Sequence, residues 1–387
     1  MPNSENPPIM VYPPNTEDFS KNGLCILTPT SAEVELKDDS AHTLHLVHPV
    51  DDAGNWKFLK ISAILNVPIR FRDEIIYEPL RIVKIKKERS GNKAQITVDA
   101  RHIFYDNGYV IVPYADIQQK NCLQAMQTIF SSFYHPTGYA QACERFRFSS
   151  DIAELKDIVY EKKSIVACLI GETNSIINTY GGSLYVHGNY FSINKEKEKS
   201  RKLAFSLKYG LNISGISATY DSEKSYSALY SESSSGATLG RSVSAKEMGL
   251  AYDKTAYKKF SYDKNSPESQ FASDTDLYFK EISNISASYT VSFADLKAYE
   301  EYSDVKNLAT CEVGDTGTVY DEELDIYTVQ KIISKKIDII NQMTTSVILG
   351  SFIPSIADLD KYKNNVFSTV SGSGGASVRG NSLVIKN

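Results

Sequence analysis

Tryptophan is almost missing from this chain of 387 residues: Trp56 stands alone against 25 tyrosines and 16 phenylalanines. Cysteine is sparse as well. The five, Cys25, Cys122, Cys143, Cys168 and Cys311, are odd in number, far apart and never arranged as CxxC, which argues against a disulfide framework or a zinc knuckle. Reduced, buried thiols in a protein made in a cytoplasm are the expectation. No apolar run approaches the ~20 residues of a membrane-crossing helix; among the longest is 164–170, SIVACLI. The N-terminus, MPNSENPPIM, shows no basic stretch leading into an apolar one, so no signal peptide is expected. Positive charge is not in excess: 42 Lys and Arg meet 47 Asp and Glu, a net charge of −5, which argues against specific nucleic-acid binding. GxSxG and HExxH are both missing.

What is present reads as globular and β-rich. The length suggests two to three domains at ~150 residues each, and 42% hydrophobic with 23% charged residues fits packed cores rather than disorder. Tyrosine combines an apolar ring with a polar tip and suits strands and wet contact surfaces. Segments 24–27 (LCIL), 31–36 (SAEVEL) and 43–47 (TLHLV, ended by Pro49) read as strands. Segments 80–87 and 94–104 flank a Gly91-Asn92 turn, with Val83 and Ile85 expected on one face of the first arm and Ile96 and Val98 on one face of the second. The first hundred residues thus form a small antiparallel sheet, expected to be a barrel.

After Tyr114 the period changes. Asp116 is expected to cap a helix whose Leu123, Met126, Ile129, Phe130 and Phe133 make one apolar stripe. A second helix is expected near Ser150-Asp151 and a third over 164–179, stopped by Gly181-Gly182. Segments 184–186 and 190–193 suggest a hairpin around Gly188. From 214 to 270 the chain is rich in Ser and Tyr and poor in aliphatics, which reads as a long exposed excursion. A short helix over 295–302 and strands over 324–329, 331–340 and 345–349 follow. The polar tail after Asp358 passes through SGSGG into a short terminal strand over 376–387.

Residue patterns that carry chemistry are weak. His42, His45 and His48 form HxxHxxH, but alternate residues of a strand face opposite sides, and His42 and His48 would stand ~20 Å apart even on a shared face. Cys143 with His135 is drawn easily as a nucleophile and base, yet no spacing makes the two meet. Asp315 and the acids Asp321, Glu322 and Glu323 read as a Gly-Asp turn and an exposed loop rather than a carboxylate pair. Gly181-Gly182 is too short to cradle a phosphate, and Gly372–Gly375 lies in a linker. The run 195–202 (KEKEKSRK) balances its signs as a solvated loop would. Lys84, Lys86, Lys87, Arg89 and Lys93 gather positive charge on one hairpin, which discourages strand addition or faces an acidic partner. No catalytic, cofactor-binding or metal-ligating residue is assigned.

Seven short segments, in order, resemble the prophage tail endopeptidase or tail-associated lysin family of phage tail proteins. They begin with Glu17 to Gly23 and Leu27, followed by His48-Pro49-Val50-Asp51 with Gly54 and Trp56, similar to the family's hPxDxxGxW turn. Asp99 to Asp106 (DARHIFYD) is next, then Leu169-Ile170-Gly171-Glu172 with Tyr180-Gly181-Gly182. Lys208 to Ile213 (KYGLNI), Val313-Gly314-Asp315-Thr316 and Val347 to Gly350 (VILG) complete the series. Ser183 departs from the acidic residue that usually follows the Gly-Gly pair, and the Ser/Tyr-rich excursion has no counterpart.

The resemblance implies an α+β, β-rich baseplate-hub fold of two small antiparallel β-barrels with α/β insertions. The first barrel would span 11–112, a helical insertion 113–201, and the second barrel 202–230 plus 308–350. A Ser/Tyr-rich peripheral insertion over 231–307 and an extension over 351–387 would complete the chain. It further implies a structural homotrimer at the virion tail tip, made in the bacterial host's cytoplasm, that meets the distal tail protein and the tape measure protein and passes DNA without reading it. No cofactor is implied. The peptidase label of longer relatives is not expected to transfer. A cell-wall peptidase and a host-surface binder that contacts wall polymer through its tyrosines are the alternatives.

Overall fold

The computed structural model describes residues 7–38, 40–72, 74–91, 93–135, 142–171, 174–208, 215–261, 271–283, 286–292, 311–324 and 326–351. Seven strands open the chain: β1 (Ile9–Tyr12), β2 (Cys25–Leu27), β3 (Ser31–Lys37), β4 (Thr43–Pro49), β5 (Ile64–Phe71), β6 (Glu74–Ser90) and β7 (Lys93–His102). Their pairing is antiparallel, in the spatial order β3-β4-β7-β6-β5-β1-β2. Alternation sets the faces: Ala32, Val34 and Leu36 of β3 and Leu44 and Leu46 of β4 point into one core, and burying each of the larger side chains stabilises the fold by ~2 kcal/mol. Val83 breaks the expected pattern. Ile82 pairs with Ala100 and Lys84 with Asp99, so Val83 is an unpaired bulge residue, turned out to 40% exposure while Ile82 is buried. Ile96 and Val98 face the core together, as their spacing requires.

The middle of the chain packs as a separate layer with its own core. β8 (Ile111–Lys120) precedes α1 (Cys122–Ser131), then come β9 (Arg147–Ser149), β10 (Lys156–Ser164), α2 (Ile165–Leu169), α3 (Ile176–Tyr180), β11 (Ser183–His187) and β12 (Tyr190–Asn194). The stripe of α1 is buried through Met126 and Ile129, but the helix starts later than expected. Asp116 lies within β8, and Asn121 is the cap: its side chain accepts from Gln124 N while the Gln124 side chain accepts from Asn121 N. The helix expected near Ser150-Asp151 is instead a stretch leading into β10, where buried Ile158 and Tyr160 repeat every second residue. The helix expected over 164–179 is two short ones, capped by Ser164 and Ser175, because Gly171 takes a φ of +85° between them. Around Gly188 and Asn189 the β11–β12 hairpin forms as expected, His187 opposite Tyr190.

The rest supplies β13 (Phe205–Lys208), β14 (Gly215–Asp221), β15 (Ala228–Ser233), β16 (Thr238–Ser242), β17 (Thr255–Phe260), α4 (Phe271–Ile282), β18 (Ser286–Ser292), β19 (Thr316–Asp321), β20 (Ile326–Asp338) and β21 (Met343–Ser351). The strands expected over 324–329 and 331–340 are the single β20, and β19 was not foreseen. β14, β18, β21, β20, β19 and β13 form a second set, joined to the first where Ser334 to Asp338 of β20 pair with Glu33 to Lys37 of β3. Eleven of the sheet's thirteen strands thus form one path from β14 to β2, with β19 and β13 branching from β20, and among the described residues the path does not close. One apolar core serves both sets, from Ile9 and Val11 to Val347 and Leu349. No helix among the described residues is long and apolar enough to cross a membrane.

The excursion expected to be exposed is in fact a small sheet, ordered β16-β15-β17, with α4 against it. Serine takes much of its inner face, beside buried Leu229 and Ala256. Ser227, Ser231 and Ser233 are fully buried, and each hydroxyl has a partner: Ser231 Oγ meets Leu239 O at 2.8 Å and Thr275 Oγ1 at 3.0 Å. The helix expected over 295–302, the KYGLNI stretch beyond Lys208 and the terminal strand lie outside the described residues.

Candidate functional site

The three histidines of HxxHxxH separate. His45 is exposed, its Nδ1 at 2.7 Å from Asp99 Oδ1 across the β4–β7 ladder. His48 is buried: Nε2 accepts from Thr28 N at 3.2 Å and Nδ1 donates to Pro49 O at 2.7 Å. His42 lies edge-on to His102, ring centroids 5.6 Å apart. Among the described residues no three His, Cys, Asp or Glu side chains gather as metal ligands.

The Cys143–His135 pair does not form either. Cys143 is 1% exposed, and burial pushes its thiol up to about 11, the opposite of an activated nucleophile. His135 rests on the Phe133 ring at 3.8 Å and stands 3.9 Å from exposed Glu144.

Residues of the family-like segments occupy joints of the fold instead. In the His48–Trp56 turn, Asp51 Oδ1 accepts from Gly54 N at 3.1 Å and Trp56 Nε1 donates to Asp51 O at 3.3 Å. Gly54 sits at φ +73°. Asp106, which ends the DARHIFYD segment, is nearly buried and receives Arg81 through two bonds of 2.8 Å and Arg145 at 2.5 Å. Arg81 also donates to Ser62 O and Pro14 O, so one carboxylate fixes β6, the middle layer and the N-terminal turn. Gly182 sits at φ +103°, where a Cβ would lie 2.5 Å from Asn194 O.

Asp315 does close a turn, its N–H donating to Glu312 O at 2.9 Å, but the turn is buried. Asp315 itself is fully buried, and its oxygens accept from Arg201 N at 2.6 Å, Arg201 Nη2 at 3.0 Å and Glu312 N at 3.0 Å. Beside it Glu312 accepts from Lys335 Nζ and Arg72 N, both at 2.9 Å. Asp321 is buried too and accepts from Leu324 N. The mixed run 195–202 likewise turns three of its seven charges inward. Lys197 Nζ reaches Asp38 at 3.1 Å and Leu184 O at 2.7 Å, Glu198 accepts from Tyr190 and Ser192 hydroxyls, and Arg201 holds Asp315. The basic hairpin stays exposed, with Lys84 3.7 Å from Asp99 and Lys86 2.6 Å from Glu88.

One polar cluster had no sequence signal. Glu78 of β6 is wholly buried and accepts from His187 Nδ1 at 2.6 Å, Gly188 N at 2.9 Å and His102 Nε2 at 3.1 Å. Phe104 N donates to His102 Nδ1, which places the His102 proton on Nε2, facing Glu78. Burial alone would raise the Glu78 carboxyl, but the bonds from His102 and His187 outweigh it and hold the group well below the usual carboxylate range. Glu78 in turn raises His187, while burial lowers His42 to about 4. A crevice bordered by His42, Ile69, Tyr185 and Lys197 measures about 50 Å³, room for a water or two rather than a substrate.

The fold is similar to that of phage tail proteins. Residues 200–360 match the family model described as prophage endopeptidase tail. The prophage tail protein gp18 from Listeria monocytogenes EGD-e superposes with a TM-score of 0.60 at 14% identity, over 94% of this chain and 100% of that one. The tail protein from Neisseria meningitidis MC58 gives 0.60 at 11%, over 89% and 96% of the two chains. The 43 kDa tail protein of prophage MuSo2 from Shewanella oneidensis gives 0.58 at 11%, over 89% and 98%. No curated protein sequence matches the chain. The resemblance read from seven short segments therefore has two independent counterparts, a family match over the C-terminal half and a shared fold over most of the chain.

Proposed function

We propose that this chain is a structural baseplate-hub subunit of a phage tail tip, three copies of which close into a ring around the DNA exit channel. The ring joins the distal tail protein to the tip, lies next to the tape measure protein, and passes DNA without reading its sequence. The observation that carries this reading is the β3–β20 seam, which sets two strand groups side by side over one core. Two such arcs per chain, repeated three times, give six around a channel. In this reading the arcs are two small barrels over 11–112 and 202–230 plus 308–350, with 113–201 and 231–307 as peripheral insertions and 351–387 as an extension.

The reading assigns no catalytic step. The family-like residues act as buried joints, and the one thiol with a histidine nearby in sequence is buried and protonated. The test is the mass of the full chain in solution, alone and with its phage's distal tail protein. Three copies per assembly are expected. A chain that stays monomeric at high concentration with the distal tail protein present overturns the proposal.

A further inference from the structure

The outward face of the serine-rich sheet forms three rows. Ser242, Ala228 and Thr255 make the first, Gly240, Tyr230 and Tyr257 the second, and Thr238, Glu232 and Lys259 the third. In the middle row the tyrosine rings stack, centroids 6.1 Å apart and planes 23° from parallel, at 49% and 58% exposure. Tyr257 covers one face of Tyr230. The neighbour on the other side is Gly240, where an added Cβ would meet nothing nearer than Leu229 O at 3.9 Å. Among the described residues that face of Tyr230 therefore opens onto a slot floored by bare backbone.

Over the first row lies an open hollow of about 790 Å³, bordered by the 243–253 segment. Ser242, Ser244 and Thr255 are among the residues that line it, with one cation, Lys246, and one anion, Asp253. Exposed Tyr252 stands at its border. At the far end Glu232 is held by Lys259 and by the Tyr257 hydroxyl, both at 3.0 Å, so the aromatic pair is braced.

We infer that this face is a binding site for a neutral saccharide. An aromatic face is electron-rich, and the C–H face of a pyranose ring is weakly positive, so the two stack when nothing else covers the aromatic ring. Gly240 leaves the width for that stack. The surrounding hydroxyls suit the sugar's own hydroxyls, and the hollow's balanced charge gives no attraction for an acidic polymer. A peptide would seek a deeper apolar anchor than this row provides. The inference goes beyond the hub reading and stands whether or not the ring forms.

The experiment titrates the full chain with maltoheptaose and with a β-1,4-linked N-acetylglucosamine tetramer, read by calorimetry and saturation-transfer NMR. At least one is expected to bind at millimolar concentration or below, with transfer from tyrosine ring protons. Tyr230→Ala should weaken that binding roughly tenfold. Gly240→Val should do the same, and since it fits both the open space and the strand, its melting curve should match the wild type. Replacing exposed Tyr114, which is on β8, should change nothing. Failure of both oligosaccharides to bind overturns the inference, as does binding that survives Gly240→Val. Capture of poly(glycerol phosphate) alone overturns it in favour of an acidic polymer.

Discussion

Glu78 and His187 are 109 residues apart in the chain and 2.6 Å apart in space. Their contact fastens the β11–β12 hairpin to β6, and with it the middle layer to the large sheet. His102 and Gly188 also donate to the same carboxylate, which is wholly buried.

This joint has a pH signature. His187 is raised by Glu78, so its share of stability is full below the ordinary histidine value of ~6.5 and is lost as pH rises through its folded value. His42, lowered to about 4 by burial, acts in the opposite sense. Between ~6.5 and 4 the unfolded chain takes up its proton while the folded chain does not, so stability falls as pH falls. NMR titration of the imidazole protons should place His187 above ~6.5 and His42 near 4. His42→Phe should flatten the acid side of the stability profile, and His187→Gln the alkaline side.

Asp315→Ala should be costly. It leaves the Arg201 guanidinium without its anion and orphans the N–H groups of Arg201 and Glu312. A loss of ~3 kcal/mol or more is expected, read as a lower urea midpoint with unchanged slope.

Thiol chemistry should separate one cysteine from four. Cys122, Cys143, Cys168 and Cys311 are buried, and burial pushes Cys122 and Cys143 up to about 11 and Cys311 up to about 12, while Cys25 is only half-buried. Ellman's reagent should modify Cys25 alone in the native protein and all five once it is denatured.

The bulge at Val83 makes a sharp contrast between adjacent positions. Val83→Asp should change stability by less than ~0.5 kcal/mol. Ile82→Asp, one residue earlier, places a carboxylate in the shared core and should leave no folded protein by circular dichroism.

Where burial follows a simple period, the sequence was legible. β3, β4, the β11–β12 hairpin and the stripe of α1 could all be read from apolar spacing, because there hydrophobicity and burial coincide. The 228–260 sheet was not, because much of its inner face is serine, and hydroxyls that bond to neighbouring carbonyls look like loop residues in a sequence. The 164–179 helix was misread because apolar residues continue across Gly171 while the backbone does not. Joints such as Asp315–Arg201 and Glu78–His187 join single residues more than a hundred positions apart, and no local pattern marks them. The saccharide slot depends on which residue lies opposite Gly240, a matter of register that only pairing reveals.

The β3–β20 seam also sets a timetable. Lys336 meets Glu33 across 303 residues of chain, so β3 leaves the ribosome long before its partner exists. At ~5–20 residues per second the wait is roughly 15–60 s. Throughout it β3 is an open edge, the kind that recruits foreign strands. Its outward residues are Glu33 and Glu35, followed by Lys37, so the charges that later bond β20 first keep strangers away. Neutralising Glu33 and Glu35 would thus harm the nascent chain more than the finished one, and the damage would appear as inclusion bodies rather than as a lower melting temperature.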